Sequence, residues 1–223
     1  SPSTLRQQTY LGVIWLMSQI FRVHPDSPQS RLIKQAADII RKGGVAIYPT
    51  DGAYAIGCAM GDKRALDRIV QIRRLDNKHN FTLLCRDLSE LASYARVDNI
   101  AYRLLKHNTP GPYTFILRAT LEVPRRLMHP KKKTIGLRVP DNAIVLALLE
   151  ELNEPMMTAT LQMPGDEYPM TDPEEMVQFM GKQVDLVIDG GWGEMVCTTV
   201  INMTEDIPQV IREGKGDPTP FMP

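Results

Sequence analysis

The sequence is poor in the residues by which many function classes announce themselves. It has three cysteines in 223 residues, Cys58, Cys85 and Cys197, far apart and with no Cys-x-x-Cys pair. Neither a disulfide framework nor a zinc site is expected, and the reducing cytoplasm is the compartment to expect. Each thiol sits in an apolar stretch, where cysteine is ordinarily buried and inert. The four histidines, at 24, 79, 107 and 129, have no metal-ligand spacing, so no tightly bound, protein-ligated metal is expected. Also missing are the phosphate loop G-x-x-x-x-G-K-[ST], the dinucleotide fingerprint G-x-G-x-x-G, the nucleophile elbow G-x-S-x-G and the metalloprotease H-E-x-x-H.

No apolar run reaches the roughly 18 to 20 residues that cross a bilayer. The longest, Leu11 to Phe21, is broken by Gly12, Ser18 and Gln19. With only Arg6 ahead of it and no small-x-small cleavage site behind it, it does not read as a secretory signal either. The expectation is a soluble chain with no membrane partner. Residues 1–18 read as an extension that the fold does not need, Met17 as a natural start, and residues 19–221 as one domain.

Net charge is absent as well, with 26 Lys+Arg against 26 Asp+Glu, but the zero is a cancellation. Residues 1–138 hold 23 basic and 10 acidic side chains, +13, and residues 139–223 hold 3 and 16, −13. Neutrality excludes an indiscriminate nucleic-acid binder, while the asymmetry suggests a region that handles anions. Two solvated faces that attract each other in the fold would give the same figures.

With 43% apolar and 23% charged residues, the chain is an ordinary globular one, able to build a single core. Helical and strand patterns alternate along it. Helices are expected at Arg31 to Lys42, from the cap Asp62 to Arg73-Arg74, at Leu88 to Tyr94, Ile100 to Lys106 and Ile144 to Leu152, and from Asp172-Pro173 onward. Strands are expected at Val45 to Tyr48, Phe81 to Cys85, Tyr113 to Leu117, Thr134 to Val139, Met156 to Thr160, Val184 to Ile188, Thr198 to Ile201 and Gln209 to Ile211. Some connections are too short for parallel crossovers, so the expected class is α/β, with a mixed parallel and antiparallel sheet flanked by helices.

The chemistry is expected in four loops at strand ends, rich in glycine, proline, hydroxyls and arginine. They are Pro49 to Gly57, Thr109 to Thr114, Arg138 to Asp141 and Thr158 to Gly165. Open α/β sheets bind ligands at such places. One loop alone would pass for a well-made turn; four of one character ask for a common ligand.

These loops resemble the motifs of the YrdC-like threonylcarbamoyl-AMP synthases, and more closely their YciO branch. PTDGAYAIG stands for the family's PTD-T-V-Y-G-L-G, PGPYTFIL for P-G-P-x-T-x-x-L, GLRVPD for x-x-R-x-P, TTVI for S-T-V-V and REG for R-x-G. The five blocks occur in order, within a resemblance running from about Gln19 to Phe221. It implies a twisted mixed sheet flanked by helices, a positively charged cavity, and a link to double-stranded RNA or tRNA. It also implies synthase-like nucleotidyl transfer, in which L-threonine, bicarbonate and ATP with Mg²⁺ give threonylcarbamoyl-AMP, an early step towards threonylcarbamoyl-adenosine in tRNA. Such a site needs no covalent nucleophile, only groups that hold two anions together.

Carried over position by position, the resemblance gives Thr50, Tyr54, His79, Thr114 and Arg138 to the threonine side, and Arg73, Thr158, Thr160, Gln162, Thr199 and Arg212 to the nucleotide. Arg138 and Arg212 could instead be a surface charge and a partner for the late carboxylates. Two positions depart from the synthase pattern. Arg73-Arg74-Leu75 replaces lysine, a spacer and arginine, and Thr160-Leu161-Gln162 replaces serine, a spacer and asparagine. An arginine becomes apolar, and an amide moves out by one methylene. Both changes weaken the expected grip on ATP. Two alternatives stay open: a hydrolase that removes threonylcarbamoyl groups, and a non-catalytic binder of structured RNA.

The densest charge run is Arg125, Arg126, His129, Lys131, Lys132 and Lys133. It is either a solvated loop or a contact to RNA phosphates. No aromatic interrupts it, so single-strand stacking is not expected there.

Overall fold

The computed structural model describes residues 18–76 and 80–223. Ten strands form one mixed sheet: β1 Gln19–Arg22, β2 Ala46–Tyr48, β3 Ala55–Ala59, β4 Thr82–Leu84, β5 Tyr113–Arg118, β6 Thr134–Arg138, β7 Met156–Thr160, β8 Leu186–Asp189, β9 Thr199–Asn202 and β10 Gln209–Arg212. Their spatial order is β1-β8-β2-β3-β7-β4-β6-β5-β9-β10. The pairs β1/β8, β2/β8, β4/β6 and β5/β9 are parallel, and the other five are antiparallel. Among the described residues six α-helices accompany them: α1 Ser30–Arg41, α2 Lys63–Arg73, α3 Leu88–Tyr94, α4 Asn99–Asn108, α5 Ala143–Leu152 and α6 Pro173–Met180. None is long and apolar enough to cross a membrane.

Two strands differ from the sequence reading. β1 lies in the stretch read as a broken apolar run, and only Phe21 and the following Val23 reach the core. β3 lies partly in the stretch read as a ligand loop. Its residues Ala-Ile-Gly-Cys-Ala are buried on both faces, so no alternation betrays a strand. Gly57 is required there because the Tyr48 ring and the Met157 carbonyl occupy the space of a side chain.

The helices divide between the faces. Along β2, Val45 and Ile47 turn to one cluster, with Leu66 and Ile69 of α2, Leu91 of α3, Leu105 of α4 and Met176 of α6. Ala46 and Tyr48 turn to the other, with Ile33, Ala36, Ala37 and Ile40 of α1 and Ile144, Leu148 and Leu149 of α5. Carboxylate or amide caps start most of these helices: Asp62, Asp87, Asp98, Asn142 and Asp172 each accept an N–H of the first turn.

α1 and α5 cover only one end of their face. Beyond Leu84 and Met156 the register carries that face on through Arg138 and Thr114, and in the next row through Gly57, Thr158, Thr82 and Gly136. Apolar side chains give way to hydroxyls and a guanidinium where the helices end. The sheet also curls. Ala53 N–H reaches the carbonyl of Val196 at 3.2 Å, although β3 and β9 have four strands between them in the order. The uncovered face is therefore the floor of a concavity.

Candidate functional site

The concavity is walled by Ala53, Tyr54, Ala55, Thr82, Thr114, Arg138, Thr158, Ala159, Thr160, Cys197 and Thr198. Of the residues expected on sequence grounds, Tyr54, Thr114, Arg138, Thr158 and Thr160 meet here. Their convergence follows from register: Thr158 lies opposite both Gly57 and Thr82, and Thr82 opposite Gly136.

Arg138 is the central cation. Its side chain is 8% exposed and pairs with the equally enclosed carboxylate of Asp51. Its Nε is buried with no hydrogen-bond partner. An unsatisfied buried donor is costly, and an acceptor arriving with a ligand would satisfy it. Below it Tyr48, fully buried, donates to Thr158 Oγ1 at 2.7 Å. Burial pushes the Tyr48 phenol far above its ordinary value, so it remains a donor.

The hydroxyl wall is continued by a pair, Thr114 Oγ1 and Thr198 Oγ1, 2.8 Å apart. Arg212 backs it with a fork, Nε and NH2 donating to the Thr198 carbonyl at 3.1 and 2.8 Å and NH2 to Thr198 Oγ1 at 3.2 Å. Arg73 is half-buried at the end of α2, with an unpartnered Nε. Burial lowers its pKa, and it lies near enough to Cys197 to feel a charge there.

Other expected residues stand elsewhere. Thr50 serves its own loop, its hydroxyl donating to the Ala53 carbonyl at 2.6 Å and accepting from Gly52 N–H at 3.0 Å. Tyr54 lends the cavity its ring, but its hydroxyl leaves for the Gly191 carbonyl at 2.6 Å and accepts from Gly190 N–H at 3.1 Å. Burial pushes that phenol up to about 12. Thr199 is fully buried and holds Gly216 and Gly214 rather than the cavity. Gln162 turns its amide to the Asp166 carbonyl at 2.8 Å. His79 lies outside the described residues.

The basic run is split. Arg126 is drawn to Asp67 on α2 at 2.7 Å. Lys131 and Lys132 instead line a groove of about 610 Å³ with Arg118, Thr134, Asn202, Thr204 and one carboxylate, Glu205. Thr134, Gly136 and Arg138 alternate along β6, so groove and cavity share one face of the sheet. Arg125 and Arg126 form a short 3-10 turn with Leu127, whereas Lys133 ends the following turn at φ 57°.

Sequence reasoning did not single out Thr82, Cys197 and Thr198 of the cavity wall, nor Lys215 behind it, whereas Asp51 fell within the first of the expected ligand loops. Asp51 was visible as a motif neighbour, but nothing local showed that it reaches Arg138, 87 residues away. Among the described residues no group of three or more His, Cys, Asp or Glu could hold a metal ion.

Comparison with known proteins agrees with this geometry. A family profile, Sua5/YciO/YrdC, described as telomere recombination, matches residues 38–214. The YciO protein of Escherichia coli K12 is 59% identical over 206 residues, spanning 92% of this chain and all of that protein. Its crystal structure superposes with a TM-score of 0.90. Sua5 of P. abyssi, solved with L-threonine bound, is 26% identical at a TM-score of 0.81, over 88% of this chain and 58% of that one. A threonylcarbamoyl-AMP synthase of Vibrio vulnificus is 24% identical over 185 residues, 82% of this chain and 98% of the synthase. With the motifs in order, the curled mixed sheet and the hydroxyl-lined cavity in place, the chain belongs to the Sua5/YciO/YrdC family.

Proposed function

We propose that the protein performs threonylcarbamoyl-adenylate chemistry in the cytoplasm, in the service of tRNA modification. L-Threonine and bicarbonate supply N-carboxythreonine, whose carboxylate oxygen attacks the α-phosphorus of ATP. The bond to the β-phosphate breaks and pyrophosphate leaves. The protein's part is to hold two anions and stabilise the charge that develops between them. The observation that carries this reading is the cavity itself: a buried Arg138 with a free Nε among the hydroxyls of Thr82, Thr114, Thr158, Thr160 and Thr198.

Thr114 and Arg138 are assigned to the threonine side, with Tyr54 supplying a ring wall. Thr158, Thr160, Arg73 and Arg212 are assigned to the nucleotide. These groups suit ATP, since they offer hydroxyl and guanidinium donors and no covalent nucleophile. Mg²⁺ would enter on the phosphates, as part of the substrate. Lys131 and Lys132, beside Arg118 in the groove, are the part of the basic run best placed to meet the phosphates of a structured RNA or tRNA.

One observation favours a second reading. Gln162 is engaged with Asp166, and Leu75 packs against the core, so the site has fewer grips on triphosphate than the synthase pattern supplies. A cavity of this kind would meet the product side and hydrolyse a threonylcarbamoyl group.

The test is the purified protein with L-threonine, bicarbonate and ATP-Mg²⁺, followed for pyrophosphate. Threonine-dependent release is expected; its absence sinks the synthase reading. Loss of threonylcarbamoyl from modified tRNA would then support hydrolysis. RNA binding with neither activity would leave a binding protein.

A further inference from the structure

We infer that Asp51, held in turn by Lys215, is a positioning residue that sets the Arg138 guanidinium for an incoming carboxylate. The choice of ligand rests on the proposed function; the geometry does not. Asp51 Oδ1 accepts from Arg138 NH2, and its Oδ2 accepts from Asp141 N–H at 2.9 Å. Both oxygens are thus committed, and the carboxylate cannot turn without losing one of them. Arg138 is held by one terminal nitrogen, and its Nε is buried without a partner.

The loop carrying Asp51 is fixed from outside. The carbonyl of Thr50 accepts from Asn142 Nδ2 at 3.2 Å. The carbonyl of Asp51 accepts from Lys215 Nζ, which also reaches Glu194 Oε1 at 2.8 Å. Lys215 N–H donates to the Cys197 carbonyl at 2.9 Å. One lysine therefore ties together the loop before β3, the segment before β9 and the segment after β10. The first two carry cavity residues, Ala53 and Cys197, yet neither Asp51 nor Lys215 lines the cavity.

Asp51 has two effects on an anionic ligand, of opposite sign. It neutralises Arg138, which weakens attraction. It also fixes the guanidinium in one direction, which strengthens a bond that depends on alignment. In an enclosed site alignment is the larger effect, because a misplaced guanidinium forfeits the bond altogether.

The test uses the whole protein, with arginine side chains ¹⁵N-labelled, and the variants Asp51→Asn and Lys215→Met. L-Threonine is the probe, titrated calorimetrically, and the Arg138 Nε–H resonance is followed without ligand. In the parent a single, slowly exchanging resonance is expected. In Asp51→Asn it should broaden or exchange with solvent, and L-threonine affinity should fall roughly tenfold or more. Lys215→Met should move both in the same direction, with a loss of about threefold.

Unchanged or tighter binding by Asp51→Asn, with a native Arg138 resonance, overturns the inference and leaves charge neutralisation. If the parent itself ignores L-threonine, the proposed substrate falls while the resonance still decides the role of Asp51. Should Asp51→Asn fail to fold, the half-exposed Lys215 decides. An unaltered resonance in Lys215→Met refutes the arrangement.

Discussion

Thr198 and Thr199 are neighbours in the chain with opposite duties. Thr198 puts its hydroxyl on the cavity wall, 2.8 Å from Thr114 Oγ1. Thr199, fully buried, donates to the Gly216 carbonyl and accepts from Gly214 N–H at 2.9 Å. Gly214 and Gly216 can be nothing larger, since a Cβ would enter the carbonyls of Cys197 and Thr198 or the ring of Tyr113. Thr199 thus fastens the segment that brings Arg212 and Lys215 to the site.

Valine at either position should separate the two duties. Thr199→Val leaves a buried donor and acceptor unmatched and should lower stability by about 2 kcal/mol. Thr198→Val, with Arg212 still held by the Thr198 carbonyl, should cost less than about 1 kcal/mol but weaken ATP binding. Urea denaturation and calorimetry on the two variants give the answer. Equal losses of stability, or unaltered affinity in Thr198→Val, would contradict the assignment.

The same pair marks how far the sequence was legible. Residue type and order found Thr114, Thr158, Thr160, Arg138 and most of the sheet, because a buried strand such as Leu83-Leu84 or Ile135 to Leu137 writes its environment into its composition. Which of two adjacent threonines faces the ligand depends on the register of β9 against β5, and that is a pairing between distant segments. Asp51 was hidden for a similar reason, since the curl that brings its loop to Arg138 arises from the whole sheet. β3 escaped because small residues buried on both faces carry no period. The split of the basic run needed Asp67, which no charge count could connect to Arg126.

Arg212 holds Thr198 through two nitrogens of one planar group. Lysine keeps the charge but cannot make the fork. Arg212→Lys should therefore leave the long-range attraction for ATP intact and lose about tenfold in affinity through misalignment. A titration at two salt concentrations separates these contributions. The expected loss is the same at both, whereas a loss that vanishes at high salt would mean that only charge mattered.

Alkaline pH should unfold the protein early. Burial pushes the Cys58 thiol from 9.0 up to about 12 and the Tyr54 phenol from 10.0 up to about 12, and raises Cys85 as well. The folded state keeps protons that the unfolded chain releases, so this stability is complete below about pH 9 and declines as pH rises towards 12. Cys58 alone should remove on the order of 2 kcal/mol between pH 9 and 10.5. Urea midpoints across that range should fall steeply in the parent and less steeply in Cys58→Ala. A flat profile would mean that Cys58 ionises without hindrance.

Leu75, the apolar residue where the synthase pattern has arginine, has a structural duty at the end of α2. Arg74 adopts a left-handed conformation at φ 50°, and Leu75 N–H closes back on the Val70 carbonyl at 3.0 Å. The Leu75 side chain packs on the core beside Val70. This is the Schellman ending, in which the residue after the left-handed one is commonly apolar. Arg74→Gly should therefore stabilise by about 0.5–1 kcal/mol, and Leu75→Arg should destabilise by about 1 kcal/mol. Gln162→Asn frees a shorter amide from Asp166. Combined with Leu75→Arg, it restores both synthase residue types, and ATP affinity should rise about tenfold despite the lower stability. If the folded double variant binds ATP no better than the parent, the two departures are not what limits the nucleotide, and the ligand of this cavity must be sought on the product side.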